Sequence, residues 1–124
     1  MAIYLFDSDV LINHLRGKQH VKDYISEIES GDELCCSVIS LAEVYAGMQV
    51  SEEGRTKELM ESLIHFPVTK EVAEKAAEVR RSLKNRGQTI YLDDCLIAAT
   101  AILKGAILVT LNKKHYPTVS KKLP

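Results

Sequence analysis

The architecture turns on one stretch near the N-terminus, Ile3-Tyr4-Leu5-Phe6-Asp7-Ser8-Asp9-Val10-Leu11-Ile12. Ile3 to Phe6 is a short apolar run, the pattern of a buried strand. Asp7-Ser8-Asp9 then supplies the side-chain oxygens that favour a helix start. Val10, Leu11, Ile12 and Leu15 recur at helical spacing until Gly17. A buried strand that runs straight into a helix is the opening of an α/β unit.

The same alternation continues down the chain. Residues 21–30 read as a helix with Tyr24, Ile25 and Ile28 on one side, closed by Gly31. Residues 34–38 read as a strand, 40–48 and 52–64 as helices, and 65–68 as a third strand. Pro67 cannot donate to a ladder, so that strand is expected at an edge. Thr69 is a good N-cap for a long helix, 70–85, with a stripe of Val72, Ala73, Ala76, Val79 and Leu83, ended by Gly87. Asp93-Asp94 precede residues 95–103, apolar on nearly every face apart from Thr100 and so expected to be buried all round. After Gly105, residues 106–109 form a fourth strand, and 112–124 a basic, turn-rich tail. Short strands alternating with helices argue for an α/β fold with a parallel sheet. No repeat or linker interrupts residues 1–124, so one domain is expected.

Composition narrows the function. The 124 residues are 46% hydrophobic and 27% charged, ordinary globular proportions that exclude a collagen-like repeat, a disordered tail or a disulfide-stapled mini-protein. Sixteen Lys and Arg against 17 Asp and Glu leave a net charge of −1, which argues against a protein that coats nucleic acid non-specifically. Cys35, Cys36 and Cys95 are an odd number without Cys-x-x-Cys spacing, and the four histidines are scattered. Reduced intracellular thiols are expected rather than zinc or disulfides. Cys35 and Cys36 would point to opposite faces of a strand. The N-terminal stretch lacks a basic n-region, and no window approaches the ~18 apolar residues of a bilayer span. A cytoplasmic protein with no membrane contact is the expectation.

Fingerprints for dinucleotides, P-loop phosphates and serine nucleophile elbows are all missing. In open α/β sheets the site lies beyond the carboxyl ends of the strands. There the first strand delivers Asp7 with Ser8 and Asp9, and the second delivers Ser37 and Ser40, then Glu43. The fourth delivers Thr110 and Asn112, and the apolar helix before it begins with Asp93-Asp94. The recurring product is oxygen, mostly carboxylate, which suits a hard cation such as Mg²⁺ or Mn²⁺. Each residue also has a local explanation. Asp7 or Asp9 would cap the first helix, Ser40-x-x-Glu43 fits a capping box, Asp93 or Asp94 would cap the apolar helix, and Asn112 a last turn. Capping does not explain three acids at one edge of one sheet, where they repel and raise one another's pKa unless a cation offsets them. A receiver-type phosphorylation domain has similar length and acidity, but it needs an acceptor Asp after the middle strand. Residues 49–69 contain none.

Four segments together resemble the PIN-domain family. They are Asp7-Ser8-Asp9-Val10-Leu11-Ile12, Ser40-Leu41-Ala42-Glu43-Val44, Asp94-Cys95-Leu96-Ile97-Ala98-Ala99-Thr100-Ala101 and Leu108-Val109-Thr110-Leu111-Asn112-Lys113-Lys114-His115-Tyr116. More narrowly they resemble the VapC toxins of bacterial and archaeal toxin–antitoxin pairs. The ordered set carries the resemblance across essentially the whole chain. It implies a three-layer α/β/α sandwich around a parallel sheet of four to five short strands, and a metal-dependent endoribonuclease. By motif position the family's invariant acids fall on Asp7, Glu43 and Asp94, which would hold Mg²⁺ or Mn²⁺. The fourth position, often Asp, falls on Asn112, whose neutral amide weakens any second metal site. Thr110 matches a hydroxyl often kept beside the acids, and Asp93 is an additional carboxylate. The implied partners are an RNA substrate, a cognate antitoxin and a second copy of the chain in a homodimer. The antitoxin groove would be walled by the first two helices and the one after Glu43, with Leu11, Ile12, Leu15, Tyr24, Ile28, Tyr45 and Met48 as core or contact. A stand-alone PIN nuclease of RNA maturation remains an alternative, as does a non-catalytic RNA- or protein-binding module, which only Asn112 favours. Lys113, Lys114, Lys121 and Lys122 in the tail, and Arg80, Arg81, Lys84 and Arg86 on the long helix, are either RNA contacts or a solvated face. His115 reads as an RNA contact or a surface turn residue, and Tyr91 and Tyr116 as packing or base stacking.

Overall fold

The computed structural model of the chain describes residues 1–28, 30–117, 119, 121, 122 and 124, with the backbone alone at 121 and 122. Its elements are β1 Ile3–Phe6, α1 Ser8–Leu15, α2 Gln19–Ser26, β2 Glu33–Ser37 and α3 Val38–Gly47, followed by α4 Glu53–Glu61, β3 Ile64–Phe66, α5 Lys70–Asn85, α6 Leu92–Lys104, β4 Ile107–Val109 and β5 Lys121–Lys122. Single 3₁₀ turns, Val50–Glu52 and Lys113–His115, precede α4 and β5.

All strand pairs are parallel, in the order β3-β2-β1-β4-β5. β1 is therefore central, and β3, just before Pro67, is an edge strand as expected. Side chains alternate across the sheet as a pleat demands. Phe6, Cys36 and Val109 face one side, where they pack with Val10, Leu11, Val21, Val44 and Met60. Leu5, Cys35 and Leu108 face the other, against Ile97, Ala98 and Ala101 of α6. α5 covers the outer side of α6 through Val72, Ala76, Val79 and Leu83. The result is the α/β/α sandwich, with Cys35 and Cys36 on opposite faces and all three cysteines free and buried. None of the described helices is long and apolar enough to cross a membrane.

Several local expectations need correction. β2 runs into α3 with no loop, so α3 begins at Val38 and its cap is Ser37, whose Oγ accepts from Ile39 N at 3.1 Å. Ser40 lies inside the helix, fully buried, and Ser40-x-x-Glu43 is not a capping box. α6 begins at Leu92 after Tyr91, so Asp93 and Asp94 lie in its first turn and neither is its N-cap. Nor is α6 buried all round. The sheet and α5 cover Cys95 and residues 97–101, while Leu92, Ile102 and Leu103 stay exposed. The helix expected over 52–64 ends at Glu61, because Ile64 is drawn into register with Cys35 as the start of β3. α2 stops at Ser26. Thr69 caps α5 as read, accepting from Val72 N at 3.1 Å.

Candidate metal centre

Asp7 is the first residue beyond the central strand. Its N–H donates to Val109 O at 3.0 Å and so prolongs the β1–β4 ladder by one bond. The register Phe6↔Val109 then sets Asp7 beside Thr110. One Asp7 oxygen, Oδ1, accepts from Ser8 N at 2.8 Å and caps α1. The other, Oδ2, accepts from the Thr110 hydroxyl at 2.9 Å, in a buried bond. Capping and membership of the acidic cluster are thus both true of Asp7, one oxygen each.

Asp94 arrives from the first turn of α6. Its Oδ1 accepts from the Tyr116 hydroxyl at 3.1 Å, and its Oδ2 lies 3.0 Å from His115 Nδ1. The turn at Lys113–His115 folds this segment back so that Tyr116, 1% exposed, also directs its phenol at Asp7. Glu43, half-buried on α3, accepts from the Ser8 hydroxyl. Asp93 is exposed, and its Oδ1 takes the Asp94 N–H at 2.9 Å.

The electrostatics tie these groups together. Burial raises the pKa of Asp7, Glu43 and Asp94 alike. The charges of Asp93, Asp7 and Asp94 push Glu43 further up, and those of Asp93 and Asp7 do the same to Asp94. Hydrogen bonds from Thr110, Tyr116 and Ser8 oppose the rise at Asp7. Three acids 36 and 51 residues apart in the chain therefore feel one another's charge.

Among the described residues, no three His, Cys, Asp or Glu side chains stand in ready-made ligand geometry. Both Asp94 oxygens are instead held by Tyr116 and His115. The chemistry of the donor set nonetheless fits a hard cation. It consists of carboxylate and hydroxyl oxygens without sulfur, and His115 is the sole imidazole on it. Partly buried like charges with too few cationic partners are what a divalent ion would neutralise.

Asn112 does not point its amide at these acids. Its Nδ2 donates to Asp9 Oδ2 at 2.9 Å, which also accepts from Leu111 N at 3.2 Å, while Asn112 N donates to Thr110 Oγ1 at 3.0 Å. Asp9, pushed up to about 6 by burial and then by the Asp7 charge, is clamped by the segment after β4. Its other oxygen, Oδ1, is buried and accepts nothing among the described residues. The sequence offers Asp9 as an acid behind Asp7 or a cap, Tyr116 as packing or stacking and His115 as an RNA contact or a surface turn residue, and does not reveal Asp9 as the partner of Asn112 or Tyr116 and His115 as partners of Asp94. The available signal was that residues 113–116 follow β4 at the same edge as the acids.

Away from the acids, a cavity of about 560 Å³ opens between α1, α2 and α4, lined among others by Leu15, Arg16, Lys22, Arg55 and Leu59. A smaller one of about 50 Å³, lined by Ile12, Val44 and Met48, continues it toward α3. Tyr45 and Met48 are half-buried, Tyr45 against the core beneath.

Comparison with known proteins agrees with this arrangement. Residues 4–121 match the PIN domain. The chain is 37% identical over 120 residues to Ribonuclease VapC10 of Mycobacterium tuberculosis, covering 97% of this chain and 90% of that protein. In structure it resembles VapBC2 from Rickettsia felis bound to a DNA fragment, with a TM-score of 0.86 at 20% identity over 98% of both chains. It also resembles a toxin–antitoxin complex from Klebsiella pneumoniae, with a TM-score of 0.79 at 26% identity, covering 93% of this chain and 91% of that one. Fold, acidic sheet edge and sequence agree: the chain belongs to the PIN-domain family and, within it, to the VapC ribonucleases.

Proposed function

We propose that this protein is the toxin of a toxin–antitoxin pair, an endoribonuclease that hydrolyses RNA phosphodiesters with the help of Mg²⁺ or Mn²⁺. The observation that carries the reading is the carboxylate cluster brought together by the end of β1, α3 and the first turn of α6, whose acids are partly buried and mutually repelling. Similarity to Ribonuclease VapC10 over nearly the whole chain supports the substrate class.

In this reading Asp7, Glu43 and Asp94 are the residues that would hold the ion. A bound divalent ion would supply a water of lowered pKa and offset the charge that develops on the phosphoryl oxygens. The chain's own residues prepare the site. Thr110 and Ser8 fix the Asp7 carboxylate, Ser8 also restrains Glu43, and Tyr116 holds Asp94 near Asp7. Asn112 acts one step back, by fixing Asp9. The reading extends to an antitoxin partner, which the likeness to VapBC complexes supports, seated in the cavity between α1, α2 and α4, and to a homodimer.

Asp94→Asn tests the proposal. RNA is incubated with Mg²⁺ or Mn²⁺ and with chain freed of co-purified antitoxin. The substitution is expected to lower cleavage by about 100-fold or more, the scale on which loss of one preorganised charge-stabilising group acts. Undiminished cleavage by the variant would remove Asp94 from the site. Absence of cleavage by the unaltered chain would leave the non-catalytic binding module as the better reading.

A further inference from the structure

A third cavity, basic in its lining, lies on the opposite flank of the molecule from the one between α1 and α4. It has a volume of about 400 Å³ and is lined by Arg80, Arg81 and Lys84 of α5, by Gln88 and Thr89 of the segment after it, and by Leu92 at the start of α6. All three cations are exposed, and among the described residues none forms an ion pair. The nearby Glu78 is occupied by Lys75 at 3.1 Å. Lys84 alone would be explained by the negative end of α5, but Arg80 and Arg81 lie before its last turn, where that effect has faded. The cavity between α1, α2 and α4 also carries three cations, Arg16, Lys22 and Arg55, but Glu52 and Glu58 line it with them, whereas no acid lines this one.

Leu92 on the lining and its chain neighbour Tyr91, outside the lining, add exposed apolar surface. Tyr91 is 74% exposed and Leu92 48%. An aromatic face beside a cluster of cations is the composition of single-strand nucleic-acid surfaces, where phosphates meet the charges and bases stack on the ring. The cavity borders the helix that carries Asp94. Leu92 lines it and lies two residues, or about 3 Å of helical rise, from Asp94. Arg80 is near enough for its charge to be felt at Cys95, the next residue after Asp94.

We infer that this cavity is where a single-stranded stretch of the RNA substrate docks outside the cleavage point, with Arg80, Arg81 and Lys84 on its phosphates and Tyr91 under a base. The inference rests on the nuclease reading for its substrate class, but its test does not depend on cleavage.

The test uses the full chain carrying Asp94→Asn, with a fluorescein-labelled single-stranded RNA of mixed sequence, read by fluorescence anisotropy over a range of salt concentrations. Adding Arg80→Gln, Arg81→Gln and Lys84→Gln together should weaken binding about tenfold or more. It should also reduce the slope of log affinity against log salt by about 2, since each phosphate contact on a single strand contributes about 0.7. Tyr91→Ala should weaken binding about tenfold with the slope unchanged, as loss of stacking would. Unchanged affinity and slope in the triple variant overturn the inference, and so does an absence of RNA binding by the Asp94→Asn parent. A triple variant that keeps its RNA affinity but loses self-association or binding of another protein reassigns the surface to a protein partner. Failure of the nuclease reading is a different result: the unaltered chain does not cut RNA in Mg²⁺ or Mn²⁺, while the charge variants still lose RNA affinity.

Discussion

At the scale of single residues, Tyr116 bears most on the acidic cluster. Its ring fills the core beneath α6 while its hydroxyl lies among carboxylates, donating to Asp94 and facing Asp7. That position raises the phenol's own pKa through burial and the two acidic charges, so it remains a donor. Tyr116→Phe keeps the ring and removes the bond. It is expected to cost about 1–2 kcal/mol in urea unfolding, because a partly buried carboxylate oxygen loses its partner. Mn²⁺ affinity measured by calorimetry should fall about tenfold, the effect of losing a group that orients a ligand. Equal Mn²⁺ affinity in the two proteins would reduce Tyr116 to a packing residue.

At the scale of elements, the helix ends define the sheet edge. α6 must stop and reverse so that β4 can enter beside β1, and it does so at Gly105, with φ of 63°. Nothing lies within 4 Å of a Cβ built there, so the cost of a side chain is purely conformational. Gly105→Ala is expected to destabilise by about 1 kcal/mol. Gly54, inside α4 with similarly open space and without a positive φ, provides the opposite sign. Gly54→Ala should stabilise by about 0.5 kcal/mol through helix propensity. Equilibrium unfolding of both variants checks the pair, and a shared sign would contradict the backbone argument.

At the scale of the whole molecule, the acidic edge makes stability depend on pH and on divalent ions. Asp9 titrates near 6 when folded, against an ordinary 3.8, chiefly through burial. Between those values the folded chain retains a proton that the unfolded chain has released. Its contribution therefore favours folding at low pH and is lost as pH rises through about 6. Asp7, Glu43 and Asp94 shift in the same direction. At neutral pH the ionised cluster is thus a destabilising element that a bound cation would relieve, whereas at pH 5 protons already relieve it. Thermal unfolding with and without Mg²⁺ should show a gain in Tm at pH 7.5 that shrinks markedly by pH 5. An equal gain at both pH values would mean that the ion acts elsewhere.

The amino-acid order alone was enough to reveal the strand–helix alternation, the edge character of the third strand, the two faces marked by Cys35 and Cys36, and a set of acids near strand ends and adjoining helix starts. These features depend on local periodicity, turn chemistry and the fixed polarity of a parallel sheet, all of which act over a few residues. Tertiary structure alone decided how each side chain is used. It made Ser37 rather than Ser40 the cap of α3, gave the two Asp7 oxygens different partners, turned Asn112 toward Asp9, and brought Tyr116 and His115 onto Asp94. It also gathered Arg80, Arg81 and Lys84 around one cavity beside the start of α6. The direction of a side chain depends on which remote donor lies within about 3 Å. That is fixed by the register of β1 against β4 and by the packing of α6 on the sheet, which local sequence does not encode.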